Sequence, residues 1–339
     1  MSSNGNPCIL YGELYTKYKS EIISEVISKT NIEKNKLKHS KQNDVIIPCS
    51  GETAVDIAVA RCVPFDNVLL GGDLNIIRLH KYDGAFMAYQ LNSKRKIEIA
   101  KLAQGVSVVH LYGENLKSIN TYNPSLQEQQ KIVRLLSLLD ERIATQNKII
   151  EDLKKLKSAI SERFFTSING DVVTLADICD IVKGKQVNGE FLTDSGNYYV
   201  MNGGIEPSGY YDDYNTEANT ISISEGGNSC GYVQFNTTPF WSGGHCYTIQ
   251  NITNNVEKLY LYHYLKCNED TIMKLRIGSG LPNIQKKDLA KFRVIVPIIE
   301  QQKTISAFLS LLERKVQVET DILIAVQSEK QYLLRQMFI

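Results

Sequence analysis

The sequence predicts an α+β protein, with two mixed, β-leaning domains separated by two long helices packed as an antiparallel coiled coil. Three observations carry this. First, the chain repeats itself: Glu128-Gln129-Gln130-Lys131 returns 172 positions later as Glu300-Gln301-Gln302-Lys303. At that shift Leu139, Glu141, Arg142 and Arg163 return as Leu311, Glu313, Arg314 and Arg335. Second, each copy opens a long apolar stripe at helical spacing, preceded by Pro124 or Pro297. Third, each stripe follows a block of short β-prone runs separated by turn residues. One plan used twice presents two related surfaces on a single chain.

The expected boundaries are 1–123 and 169–296 for the domains, and 124–168 and 297–339 for the helices. In the first block, Glu21 to Ser28 suits a short helix or a strand, and Asp44 to Pro48 a buried strand ended by proline. Val68 to Asp73 is a strand entering a turn, and Leu74 to Leu79 another strand. Ala85 to Ala103 is helical, with Lys94-Arg95-Lys96 along it. The first long helix carries Ile132, Leu135, Leu139, Ile143, Ile150, Leu153, Leu156, Ile160 and Phe164 on one stripe, interrupted only by Gln146. At 1.5 Å per residue it is roughly 60 Å long, more than one small domain can cover.

Ser167 to Asp171 stops that helix. In the second block Val172–Leu175, Tyr198–Met201, Thr220–Ser224, Gly231–Phe235 and Cys246–Ile249 read as strands. A helix from Glu257 to Lys266, a turn at Gly278-Ser279-Gly280 and a strand from Phe292 to Val296 follow. The second long helix carries Ile305, Phe308, Leu312, Val316, Leu323, Val326, Leu333 and Met337, with Glu319 and Lys330 on the stripe weakening it. Packing the two stripes together is the simplest way to dry both. The alternative lays each helix across its own domain.

The blocks repeat as well. Gly71-Gly72-Asp73 falls 172 positions before Gly243-Gly244-His245, Ser50-Gly51-Glu52 lies near the place of Ser224-Glu225-Gly226, and Leu116 and Leu289 each stand eight before their proline. The opening of the second block, Val173 to Ile178 and then Lys183-Gly184-Lys185, has no likeness in residues 1–12. The first block is therefore expected to begin partway through the plan, near the equivalent of Asn197.

With 339 residues and a net charge of +1, any polyanion binding must rest on local charge or on a partner. Seven cysteines without a CxxC pair read as thiols in a reducing cytosol. There is no signal core and no apolar run of about 20 residues, so a cytoplasmic location and no membrane partner are expected.

No phosphate loop or dinucleotide turn occurs. Cys230, His245, Cys246, His263 and Cys267 are too irregularly spaced for zinc and read as core or turn residues. What remains suits binding. Lys183, Lys185 and Gln186 flank a glycine, Asn228 and Ser229 sit on a glycine turn, and Arg276, Ser279, Asn283, Gln285 and Lys286 share one loop-rich stretch. Their first-block counterparts are Ser50, Thr53, Arg95, Lys96, Ser107 and His110. Lysine and arginine suit phosphates, amides and arginine suit base edges, and glycine allows close approach.

The chain resembles the specificity subunit of type I restriction–modification systems. The resemblance rests on the two helix openings, Pro124 to Val133 and Pro297 to Lys303, on Leu138 to Ile143 with its partner Leu311 to Val316, and on the approaches Gln104 to Tyr112 and Gly278 to Ile284. It implies two target-recognition domains reading the halves of a split double-stranded DNA site, with the helices as spacer. It also implies two docked modification subunits, which are adenine methyltransferases holding S-adenosylmethionine, and restriction subunits joining them. This chain would hold no cofactor and do no chemistry. Such subunits usually open with a strand and a lysine-rich turn like Val172 to Lys185, so the first domain is expected to lack its N-terminal part. The reading from a different class is a coiled-coil scaffold that joins two protein-binding domains and never meets DNA.

Overall fold

The computed structural model describes residues 4–278, 280 and 282–338. In chain order the elements are β1 (Asn6–Ile9), α1 (Glu13–Thr16), β2 (Ser28–Thr30), β3 (Lys38–His39), β4 (Asp44–Pro48), β5 (Ser50–Gly51), α2 (Ala54–Ile57), β6 (Arg61–Val63), β7 (Leu69–Leu70), β8 (Leu74–Ile77), α3 (Gly84–Asn92), α4 (Arg95–Lys101), β9 (Val109–His110), α5 (Gly113–Leu116) and α6 (Leu126–Ser167). There follow β10 (Asp171–Thr174), α7 (Leu175–Ile178), β11 (Asp180–Lys183), β12 (Tyr198–Met201), β13 (Tyr210–Tyr211), β14 (Thr220–Ser224), β15 (Val233–Asn236), β16 (Trp241–Ser242), β17 (Cys246–Gln250), α8 (Lys258–Cys267), α9 (Glu269–Met273), α10 (Lys286–Ala290), β18 (Arg293–Val296) and α11 (Ile299–Met337). The chain divides into two compact units, Met1–Lys148 with Thr320–Ile339, and Ile149–Glu319. Both long helices run through both units.

In the first unit the strand orders are β2-β1-β7-β3, β6-β4-β8 and β5-β9. β1 is parallel to β7 and antiparallel to β2, and β4 is antiparallel to β6 and β8. Every residue of β4 is buried, which is why its apolar run does not alternate. The helix expected over 85–103 is two helices, because the chain breaks at Ser93, whose Oγ donates to the Gln90 carbonyl at 2.7 Å and closes the turn. Glu21 to Ile27 is neither helix nor strand; Ile22 makes one bridge to Cys62, and β2 begins only at Ser28. The start of α6 and the end of α11 pack here, with Leu136 and Leu334 joining Phe86, Tyr89 and Phe338 in one core.

In the second unit the orders are β13-β12-β16, β11-β17-β14-β15 and β10-β18. β12 is parallel to β16 and antiparallel to β13, repeating β1 with β7 and β2. β14 lies antiparallel between β15 and β17, repeating β4 between β6 and β8. The end of α6 packs on the start of α11: Phe164 meets Phe308 edge-on at 5.9 Å, and Lys157 pairs with Glu313. In each unit the partners rise along one helix as they fall along the other, so the pair is an antiparallel coiled coil.

The buried stripe differs in detail from the expectation. On α6 it includes Gln129, Leu136, Gln146, Ile150 and Phe165, whereas Leu135 and Leu156 are exposed. On α11 it includes Leu309, while Phe308 is 43% exposed. Glu319 and Lys330 do lie on the stripe and are buried, each in an ion pair: Glu319 with Lys315, Lys330 with Glu21 and Asp140.

One glutamine of each repeated tetrapeptide is a buried bridge, from a different place in the two copies. Gln129 is fully buried; its Oε1 accepts from the Asp83 amide at 2.9 Å and its Nε2 donates to the Pro124 carbonyl at 2.8 Å. Gln302 does the same with the Glu257 amide at 2.7 Å and the Pro297 carbonyl at 2.7 Å. Asp83 and Glu257 are the N-caps of α3 and α8. The structural equivalence is thus Gln129 with Gln302, a shift of 173 that also relates the two prolines, and not the 172 of the tetrapeptide.

Candidate nucleic-acid interface

In the second unit the sequence-selected loops converge on Glu225. This side chain is 8% exposed, at the end of β14. Its Oε1 accepts from Lys183 Nζ at 2.7 Å and from the Tyr247 hydroxyl at 3.0 Å. Its Oε2 is buried without a hydrogen-bond partner, and His245 Nδ1 stands 3.6 Å away. The backbone closes the same ring: the Glu225 amide donates to the His245 carbonyl at 2.9 Å, and the Ile284 amide to the Glu225 carbonyl at 2.8 Å. Burial and the neighbouring carboxylate of Glu225 push the Tyr247 phenol well above its ordinary range, so Tyr247 stays a donor.

The segments next to this ring carry the residues expected from the second block. Lys183 ends β11, and the next amides, of Gly184 and Lys185, donate to the Cys246 and Ser242 carbonyls. A Cβ on Gly184 would lie 2.2 Å from the Gly243 carbonyl oxygen, so glycine is needed for the close approach. Lys185 and Gln186 are exposed, and the Lys185 carbonyl accepts from Trp241 Nε1 at 2.8 Å. Asn228 is exposed and Ser229 half-buried on the turn between β14 and β15, where Gly227 adopts a φ of +81°. Asn283 is exposed and its backbone bridges both Gly226 and Ile277. Gln285 is the N-cap of α10, with no side-chain cap bond, and Lys286 is its exposed first residue. Arg276 is exposed just before that bridge. Ser279 lies outside the described residues.

The first unit builds the same ring from other side chains. The Cys49 amide donates to the Asp73 carbonyl at 2.7 Å and the Leu111 amide to the Cys49 carbonyl at 2.7 Å. Asn75 Nδ2 donates to the Leu111 carbonyl at 2.9 Å, as the Tyr247 hydroxyl does to that of Ile284 at 3.1 Å. Cys49, Asp73, Asn75 and Leu111 thus stand where Glu225, His245, Tyr247 and Ile284 stand. Ser50 pairs with His110, and its Oγ donates to Asp73 at 3.2 Å; Ser50 is buried and His110 exposed. Ser107 is exposed on the bend after Gly105.

Other expected residues have local duties. Thr53 caps α2, accepting from the Asp56 amide at 3.2 Å. Arg95 pairs with Glu98 along α4 at 2.7 Å, and Lys96 is half-buried on the same helix. Sequence reading missed Glu225, His245, Asp73 and Tyr247 as site residues. The alignment of Gly71-Gly72-Asp73 with Gly243-Gly244-His245 was the signal that could have found two of them.

Of the residues weighed as zinc ligands, Cys230, Cys246 and His263 are buried, while His245 and Cys267 are exposed. Among the described residues no group of three or more His, Cys, Asp or Glu is placed to hold a metal ion, and no helix is long and apolar enough to cross a membrane.

Comparison with known proteins agrees with this duplicated plan. The family model of the type I restriction modification DNA specificity domain matches residues 2–155 and again 169–328. A type I specificity subunit of Mycoplasma pneumoniae is 32% identical over 154 residues, 45% of this chain and 41% of that protein. One from Mycoplasma genitalium is 23% identical over 281 residues, 78% of this chain and 73% of that protein. The crystal structure of a type I restriction–modification S subunit from M. genitalium shares the fold, with a TM-score of 0.69 at 22% identity over 98% of this chain and 92% of that one.

Proposed function

The chain belongs to the type I restriction–modification DNA specificity family, and from that premise we propose that it binds a bipartite double-stranded DNA target and docks its partner enzymes. Each unit reads one half-site with the loops around its ring, and α6 with α11 acts as the spacer. The methyltransferase subunits, two of them, hold S-adenosylmethionine and flip the target adenine, restriction subunits join that core, and this chain contributes selection and no bond-making step. It works in the cytoplasm.

The observation that carries the reading is the ring built twice on one backbone frame with different side chains, Cys49 and Asp73 in one unit and Glu225 and His245 in the other. A scaffold for proteins has no need of a repeated, glycine-lined polar ring. Lysines at the rim supply phosphate contacts, and exposed amides supply base contacts.

The test is to map adenine methylation in a cell expressing this chain with its methyltransferase. The expected result is one motif of two short specified blocks separated by a gap of fixed length. Methylation without sequence preference, or binding of the purified complex to duplex DNA that does not weaken with salt, favours the protein scaffold instead.

A further inference from the structure

Resting on the DNA-recognition reading, we propose that His245 is a base-reading residue whose tautomer is set by Glu225, and that Asp73 occupies the same reading position in the first unit. The position is defined by the backbone: His245 and Asp73 each offer the carbonyl that closes the ring, at 2.9 and 2.7 Å. Both follow a Gly-Gly pair and both side chains are exposed. A fixed frame carrying a different polar group in each copy is the arrangement needed to read different bases with one fold.

The chemistry follows from Glu225. Its Oε1 is occupied by Lys183 and Tyr247, and its buried Oε2 lacks a donor. His245 Nδ1 faces it at 3.6 Å. A neutral imidazole holding its proton on Nδ1, toward the carboxylate, keeps a lone pair on Nε2. That nitrogen, on a ring 60% exposed, accepts a hydrogen bond. In the major groove the donors are the exocyclic amines, cytosine N4 and adenine N6. Asp73, an acceptor oriented by Ser50 Oγ at 3.2 Å, reads the same class of group at its half-site. His245 is the reader; Glu225 is a positioning residue.

The position can be tested by inverting the tautomer. Glu225→Gln keeps the shape and keeps an oxygen for Lys183 and Tyr247, but places an amide N–H opposite Nδ1. The imidazole proton then moves to Nε2, which becomes a donor. The assay is adenine methylation of a randomised DNA library by the complete complex at pH 8. For the unmutated complex, one position of the second unit's half-site should require adenine or cytosine, which present an amine in the major groove, by roughly 10-fold. Glu225→Gln should invert that preference toward guanine or thymine, whose O6 and O4 accept. His245→Ala should flatten it, and Asp73→Ala should flatten one position of the other half-site. Because His245 and Asp73 are exposed, their alanine variants remain informative if Glu225→Gln does not fold. Unchanged preferences in the alanine variants, or a loss of methylation uniform across the library, overturn the inference while leaving the recognition reading intact. Unselective methylation by the unmutated complex overturns both.

Discussion

Replacing Lys330 with methionine should destabilise the first unit by about 3–5 kcal/mol, the cost of stripping one partner from a buried ion cluster. Its Nζ lies 2.6 Å from Glu21 and 2.5 Å from Asp140, with the three side chains 8%, 10% and 13% exposed. Asp140 also accepts from the Tyr89 hydroxyl at 2.6 Å and from Ser20 Oγ at 3.1 Å. Buried Arg61, which donates to the Leu14 and Tyr18 carbonyls and feels both carboxylates, supplies the second positive charge. Each Lys330 contact is worth about 6 kcal/mol at an effective dielectric of 20, and desolvating each ion costs several kcal/mol. In the intact cluster these terms nearly cancel. Without Lys330 two buried carboxylates face one cation, and the desolvation cost stands uncompensated. Lys330→Met combined with Glu21→Gln and Asp140→Asn removes the charges together and should return stability to within about 1 kcal/mol of the parent. Native-state hydrogen exchange on the full chain reads this without assuming two-state unfolding of both units. The amides of α3 and of α6 before residue 148 report the first unit. If Lys330→Met leaves their protection within about 0.5 kcal/mol of the parent, or if the triple variant is worse than the single, the account of the cluster is wrong.

Burial lowers the pKa of His263 to about 4, with Lys157 adding to the effect and Glu313 opposing it. Because the folded pKa is depressed, this stability is present above about pH 6.5 and lost as pH falls toward 4, by roughly 3 kcal/mol in the second unit. His263→Phe should flatten that slope in pH-dependent exchange. Gln129→Leu and Gln302→Leu should each cost about 1–3 kcal/mol by leaving a helix-cap amide and a proline carbonyl unpaired, and exchange should show the loss in the first unit for one variant and the second for the other. Gly184→Ala pushes a methyl against the Gly243 and Ser242 carbonyls and should displace Lys183 and Lys185 together. Methylation mapping should then show a relaxed second half-site with an intact first one.

The sequence alone determined the duplicated plan, the two long helices and most strands of the second unit. Those features are local: helical period, turn residues and an internal repeat are properties of neighbouring positions. It also located the turns that surround the ring, because glycines, amides and lysines cluster there in the chain. Tertiary structure decided what each residue does. Lys330 and Glu319 looked like flaws in an apolar stripe, yet their charges are answered by ion pairs, one of them with residues far away in the chain. The 172 repeat matched Gln129 with Gln301, yet the buried bridge that corresponds to Gln129 is Gln302, equivalent at 173. Glu225 drew no notice as a site residue and His245 only as a rejected zinc ligand, because a buried carboxylate and its partner are defined by what surrounds them. Burial and hydrogen bonding bring together segments separated by tens to hundreds of residues, and no window along the chain contains both partners.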